Sequence, residues 1–164
     1  MKIIILSFCL LYATLNFRVV DSSQELIKDL LIGFTKTLDE CINEMGYPQS
    51  VKQDFYDFWK PDHEVTDNRF GCTIICISTK LDLLDPYGRL HHGNAHDFVT
   101  KHGASDDQAK QLVSLVHECD TEHKDVSGEC TRMVMVSKCF KAKIHDLDWA
   151  PSVEIILAEI LADA

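Results

Sequence analysis

Apolar residues recur along most of this chain at intervals of three and four. Leu26, Leu30, Phe34, Leu38 and Cys41 follow that rhythm, as do Ala109, Leu112, Val113, Val116 and Cys119, and then Met133, Val136, Phe140 and Ile144. Positions so spaced share one face of a helix, and strict alternation over five or more residues is scarce, so the pattern predicts an all-α fold. Punctuation agrees. Gly46-Tyr47-Pro48 ends the first helix, and Gly33 inside it marks a place for a bend, at about 1 kcal/mol against alanine. A second helix is predicted from about Ser50 to Trp59, before Lys60-Pro61. Ser105-Asp106-Asp107 supplies an N-terminal cap and an acidic first turn for a helix ending near Glu122. Leu84-Asp85-Pro86-Tyr87-Gly88 reads as a turn, because proline presets φ and glycine supplies the freedom that follows. The next helix is then entered near His92. No repeat, low-complexity tract or linker interrupts the pattern, which predicts one domain.

The first 22 residues stand apart. Lys2 precedes the apolar run IIILSFCLLYATLNF, and VVDSSQE follows, with small residues before a cut near Ser22 and Ser23. This reads as a secretory signal peptide over 1–22 and a domain over 23–164. A retained membrane anchor is the competing reading, weakened by Ser7, Thr14 and Asn16 within the run. The leader takes Lys2, Arg18 and Asp21 from totals of 16 basic and 26 acidic side chains, leaving 14 and 25, a formal charge of 11 negative. Such a surface repels nucleic acid and anionic membrane and favours solubility.

Cys9 leaves with the leader, so seven cysteines become six: Cys41, Cys72, Cys76, Cys119, Cys130 and Cys139. An even count in a short exported chain implies disulfides, although spacing does not choose among fifteen pairings. Cys72 and Cys76 lie on one helical face, poorly disposed to bond each other, and are expected to tie that helix to two neighbours. Zinc held by these cysteines and nearby histidines competes, but export favours disulfides.

The stretch RLHHGNAHDF, from Arg89 to Phe98, carries three histidines and an aspartate. His92 and His96 are four apart, a possible metal pair, but two imidazoles without a further ligand make a weak site, so no metal is expected. His96-Asp97 resembles the His-Asp pair of small secreted phospholipases. Those enzymes add a cysteine-dense helix and a glycine-rich calcium loop, both lacking here, and neither GxSxG nor HExxH occurs. A lipid-modifying hydrolase is therefore the lesser alternative, and no cofactor is implied.

The cysteine spacing, with 30, 3, 42, 10 and 8 residues between successive members, resembles that of the insect odorant-binding proteins. The SQE start, FYDFWK, GCTIICISTKLDLLDP, LHHGNAHDF and CFKAKIHDLDWAPS are similar to the moth pheromone-binding subfamily, over essentially the whole exported chain. The resemblance implies six helices around an internal apolar pocket, and bridges Cys41–Cys76, Cys72–Cys130 and Cys119–Cys139. It also implies a secreted carrier in sensillum lymph, which delivers a long-chain alcohol, aldehyde or acetate toward olfactory receptors and gives it up near an acidic membrane surface. A general odorant or lipid scavenger is the alternative within binding, and a homodimer is among the states left open.

By spacing alone Phe34, Phe58, Trp59, Ile74, Phe98, Val116 and Phe140 are ordinary core. The resemblance makes Phe34 and Phe140 the pair that sandwiches an unsaturated chain, Ser78 the anchor for a terminal oxygen, and Trp59, Ile74, Leu84, Leu90 and Phe98 pocket wall. It also assigns pH sensing to His91, His92 and His117 beside the Asp85 loop, while His96 matches no such position. Imidazole charges in the mildly acidic range, so protonated rings beneath a loop are expected to open it. In APSVEIILAEILADA, Val153, Ile156, Leu157, Ile160 and Leu161 form an apolar stripe opposite Glu154, Glu159 and Asp163. This C-terminal segment, 149–164, is expected to become a helix in acid, when neutralised carboxylates can enter the pocket.

Overall fold

A computed structural model describes residues 22–152. The leader, and the C-terminal segment from 153 onward, lie outside the described residues. Helix α1 covers residues 22–35. It is followed by α2 (Leu38–Glu44), α3 (Gln49–Asp57), α4 (Asn68–Lys80), α5 (His92–Lys101), α6 (Asp106–Glu122) and α7 (Glu129–Asp146). Outside the helices, one isolated antiparallel bridge joins Leu84 and Leu90 among the described residues. The fold is all-α.

The first apolar stripe, expected as one helix, is carried by two. The helix is interrupted at Lys36 and Thr37, where Thr37 leaves helical geometry at φ −99° and ψ 6°. Gly33 lets the His102 ring approach α1, since a Cβ there would lie 2.1 Å from His102 Nε2. The apolar spacing survives the break because α2 resumes the same stripe with Leu38, Cys41 and Ile42, all buried.

Side-chain caps start three of the helices. The Asp67 side chain accepts from Arg69 N at 2.9 Å and starts α4. Ser105 and Gln108 form a reciprocal capping box that satisfies two N-terminal donors of α6. His91 starts α5, its Nδ1 accepting from Asn94 N at 3.1 Å. Gly46, after α2, turns the chain at φ +64°, a region that disfavours side chains bearing a Cβ.

Three disulfides then tie these helices together. Cys41–Cys76 ties α2 to α4, Cys72–Cys130 ties α4 to α7, and Cys119–Cys139 ties α6 to α7. Cys72 and Cys76 thus serve two different neighbours. Each bridge contributes roughly 2–4 kcal/mol by restricting the unfolded chain. At the α4–α7 crossing Gly71 admits the backbone of Cys130, whose oxygen would sit 2.0 Å from a Cβ.

Two larger apolar clusters and one small one result. The first gathers Leu38, Ile42, Val51, Phe55, Phe70 and Ile77. The second joins Leu26, Ile27, Trp59, Leu112 and Ile144, with Trp149 and Ala150 packed against it. Pro151 is buried as well, so the root of the C-terminal segment is seated in the core. The third, Leu83, Ala95 and Val113, lies beneath the α4–α5 loop and contacts Phe34, Leu90 and Phe98.

Candidate ligand-binding site

The clusters do not close on one another. Between them lies a cavity of about 260 Å³, lined from every helix except α2 and by the loops after α3 and α4. Phe34, Phe58, Trp59, Ile74, Ser78, Leu84, Leu90, Phe98, Val116 and Phe140 all contribute to its wall. Phe34 packs against the first and third clusters and Phe140 against the second, so the two rings come from different walls. Pockets for small molecules generally span about 300–1,000 Å³, which makes this one suited to a slender ligand.

Sequence reasoning missed other parts of the wall, among them Ile27, Leu30, Leu31, Phe55, Phe70, Leu112, Val113, Met133 and Val136. Their only sequence signal is helical spacing, which a filled core would show equally. Two polar wall residues were also missed, Ser137 and Asp120. Asp120 is held by Arg132 in a half-buried ion pair.

Ser78 differs from the other helical hydroxyls nearby. Thr35, Thr73, Thr79, Thr100 and Ser137 each donate to the carbonyl four residues earlier. Such bonds settle a buried hydroxyl within its own helix. Ser78 is 7% exposed, yet its hydroxyl makes no such bond among the described residues. A buried hydroxyl without a partner costs about 1–3 kcal/mol, so this oxygen favours a polar visitor.

The α4–α5 loop covers one side of the cavity, and Leu83, Leu84, Gly88 and Leu90 face inward from it. Asp85 Oδ1 accepts from Tyr87 N and Arg89 N, each at 2.9 Å, which folds the turn on itself. The base is fastened by Asn94 Nδ2, donating to Asp82 O at 2.7 Å, and by His91 N, donating to Leu83 O at 2.8 Å. Two histidines follow this base. His91 caps α5, and the His92 ring meets the His117 ring edge-on, with centroids 4.9 Å apart. The His91, His92, His117 and Asp85 set is therefore gathered at the loop and at the α5–α6 contact. His102, which sequence reasoning passed over, packs on Phe98 at 4.3 Å and bonds its carbonyl oxygen through Nδ1.

A family model, the PBP/GOBP family, matches residues 23–143. The chain belongs to the PBP/GOBP family. It is 43% identical over 147 residues to pheromone-binding protein 2 of Epiphyas postvittana, covering 90% of this chain and 89% of that protein. It is 35% identical over 141 residues to general odorant-binding protein 2 of Manduca sexta, covering 86% and 88%. The crystal structure of Epiphyas postvittana pheromone binding protein 3 is similar with a TM-score of 0.65 and 41% identity, over 70% of this chain and 98% of that one.

PBP/GOBP proteins are extracellular odorant-binding carriers of small hydrophobic ligands and not enzymes, which sets aside the hydrolase alternative. The residues that suggested it are accounted for at the surface. His96 Nε2 meets Asp106 Oδ1 at 3.0 Å and ties α5 to the first turn of α6, while the Asp97 side chain is 86% exposed. Neither lines the cavity. His92 and His96, the pair at metal spacing, have different partners, His117 and Asp106. Elsewhere Glu122, His123 and Cys139 converge, but Cys139 is spent in its bridge to Cys119 and offers no thiolate.

Proposed function

We propose that this PBP/GOBP protein carries a long-chain pheromone bearing a terminal alcohol, aldehyde or acetate. It is exported under the direction of residues 1–22, and its domain, 23–164, ferries the ligand through sensillum lymph to olfactory receptors. The observation that carries this reading is the nearly all-apolar cavity with the uncommitted Ser78 hydroxyl in its wall. At about 0.8 kcal/mol per buried CH₂, a long alkyl chain gains on the order of 10 kcal/mol before ordering costs. Ser78 adds about 1 kcal/mol and orients the head group. Phe34 and Phe140 clasp the chain from different walls, and the other named wall residues confine it.

Release follows acidification. The His91 cap uses the lone pair of Nδ1, and a protonated imidazole has two donors and no acceptor. Charging it therefore removes the cap and sets a cation at the positive end of α5. Charging His92 and His117 opposes like charges across their contact. Each effect is of the order of 1 kcal/mol at exposed rings, enough together to loosen the Asp85 loop. The C-terminal segment then takes the emptied space, starting from its root at Trp149–Pro151. The partner at delivery is a receptor or an acidic membrane surface.

The test is ligand release between pH 7 and pH 5, measured on the wild type, a His91→Gln variant and a His92→Ala/His117→Ala double variant. The variants are expected to hold ligand to lower pH. Release over the wild-type range in both would refute histidine gating. The 35% identity to a general odorant-binding protein supports a second reading, a carrier with a broader ligand range, which a similar affinity for several unrelated odorants would favour.

A further inference from the structure

We propose that Ser137 is a second polar contact for the ligand, one that only accepts, and that it biases the cavity toward a hydroxyl head group over an aldehyde or ester of equal chain length. This rests on the carrier reading above. Apart from the Trp59 indole, whose Nε1 is itself fully buried, three polar side chains reach the wall, Ser78, Ser137 and Asp120. Their hydrogen-bonding states differ. The Ser137 hydroxyl spends its proton on Met133 O at 2.7 Å, leaving lone pairs. Asp120 is a carboxylate engaged by Arg132 and likewise offers acceptor capacity alone. Of these three, only Ser78 has neither its proton nor its lone pairs engaged by a described residue.

The ligand classes divide along the same line. An aldehyde or ester oxygen brings lone pairs and bonds only to the Ser78 hydroxyl. Set against Ser137, it faces an acceptor with an acceptor, loses its hydration and gains nothing. An alcohol accepts from Ser78 and also donates its own proton to a lone pair. Both serines are buried, at 7% and 9% exposure, so water does not level the difference. They stand on α4 and α7, the two helices drawn together by Cys72–Cys130 and by the close approach at Gly71. A wall that matches a hydroxyl discriminates against its isosteres because its own buried groups are otherwise left unpaired.

The test is displacement of a fluorescent naphthylamine from the full exported chain by tetradecanol, tetradecanal and tetradecyl acetate at neutral pH. The wild type is expected to favour the alcohol. Ser137→Ala should weaken the alcohol about fivefold, the effect of one neutral hydrogen bond, and lower the ratio of alcohol to acetate affinity by at least that factor. Alanine is the best helix former, and a far-ultraviolet circular dichroism spectrum like that of the wild type shows that the variant is folded. Ser78→Ala should weaken all three. If Ser137→Ala keeps the wild-type ratio of alcohol to acetate affinity, Ser137 has no selecting role while the carrier reading stands. If none of the three displaces the probe from the wild type, the carrier reading falls and this proposal with it.

Discussion

Filling the cavity from within should raise stability and lower affinity together. Ala95 is buried on α5, lines the cavity and packs on Leu83 and Val113. At roughly 24 cal/mol per Å³, a dry cavity of 260 Å³ forgoes about 6 kcal/mol of packing. Ala95→Leu places three more carbons in that space, a gross gain of about 2 kcal/mol at 0.8 kcal/mol per carbon. Leucine is also a good helix former, so α5 itself is not weakened. The same carbons exclude about as much of the ligand, and 2 kcal/mol corresponds to roughly a thirtyfold loss of affinity. Urea unfolding of the ligand-free protein gives the first quantity, and titration with a long-chain alcohol gives the second. The expected outcome is a higher unfolding midpoint with weaker binding. A variant destabilised by about 1–3 kcal/mol, as overpacking of a filled core produces, with affinity unchanged, would refute the placement of the cavity beside Ala95.

Gly71→Ala gains about 1 kcal/mol of helix propensity, but its Cβ meets the Cys130 oxygen, which belongs to backbone and cannot swing away. A net loss of about 1–3 kcal/mol in chemical unfolding is expected, whereas stabilisation would mean that α4 and α7 lie further apart. The Asp67 carboxyl is held below its ordinary value near 3.8, chiefly by the Arg69 guanidinium, with the Arg69 N–H adding to it. A depressed carboxylate stabilises the fold above its unfolded value, and that contribution is lost as pH falls through the lower folded one. Asp67→Asn, which keeps a capping side chain, should flatten the fall in stability below about pH 4, and an unchanged acid limb would count against the pair. Ser105→Ala breaks the reciprocal cap of α6 and should cost about 1 kcal/mol, read as a lower thermal midpoint with ligand affinity retained.

Local signals in this sequence were largely readable because each acts within a few residues. The Ser105 cap, the turn through Asp85 and Gly88, and the entry to α5 at His92 all depend on neighbours along the chain. The cavity is a different kind of property. Phe55 and Phe70 sit in the packed core and in its wall at once, and helical spacing is the same for both duties. Only the resemblance to a known family separated wall from core, and it did so for the named positions while leaving Ser137 and Asp120 unremarked. Gly33 shows the same limit. Its effect on the helix that contains it suggested a bend, but the ring that packs against it belongs to His102, 69 positions away. His102 carried no motif, so nothing local marked it.

A carrier holds one slender hydrophobic molecule in this cavity and leaves it chemically unchanged. Native mass spectrometry of the exported chain with a long-chain acetate at neutral pH tests this most directly. One intact ligand per chain is predicted, with the bound fraction falling on Ala95→Leu. Absence of a bound species, or release of the free alcohol from the acetate, would contradict it.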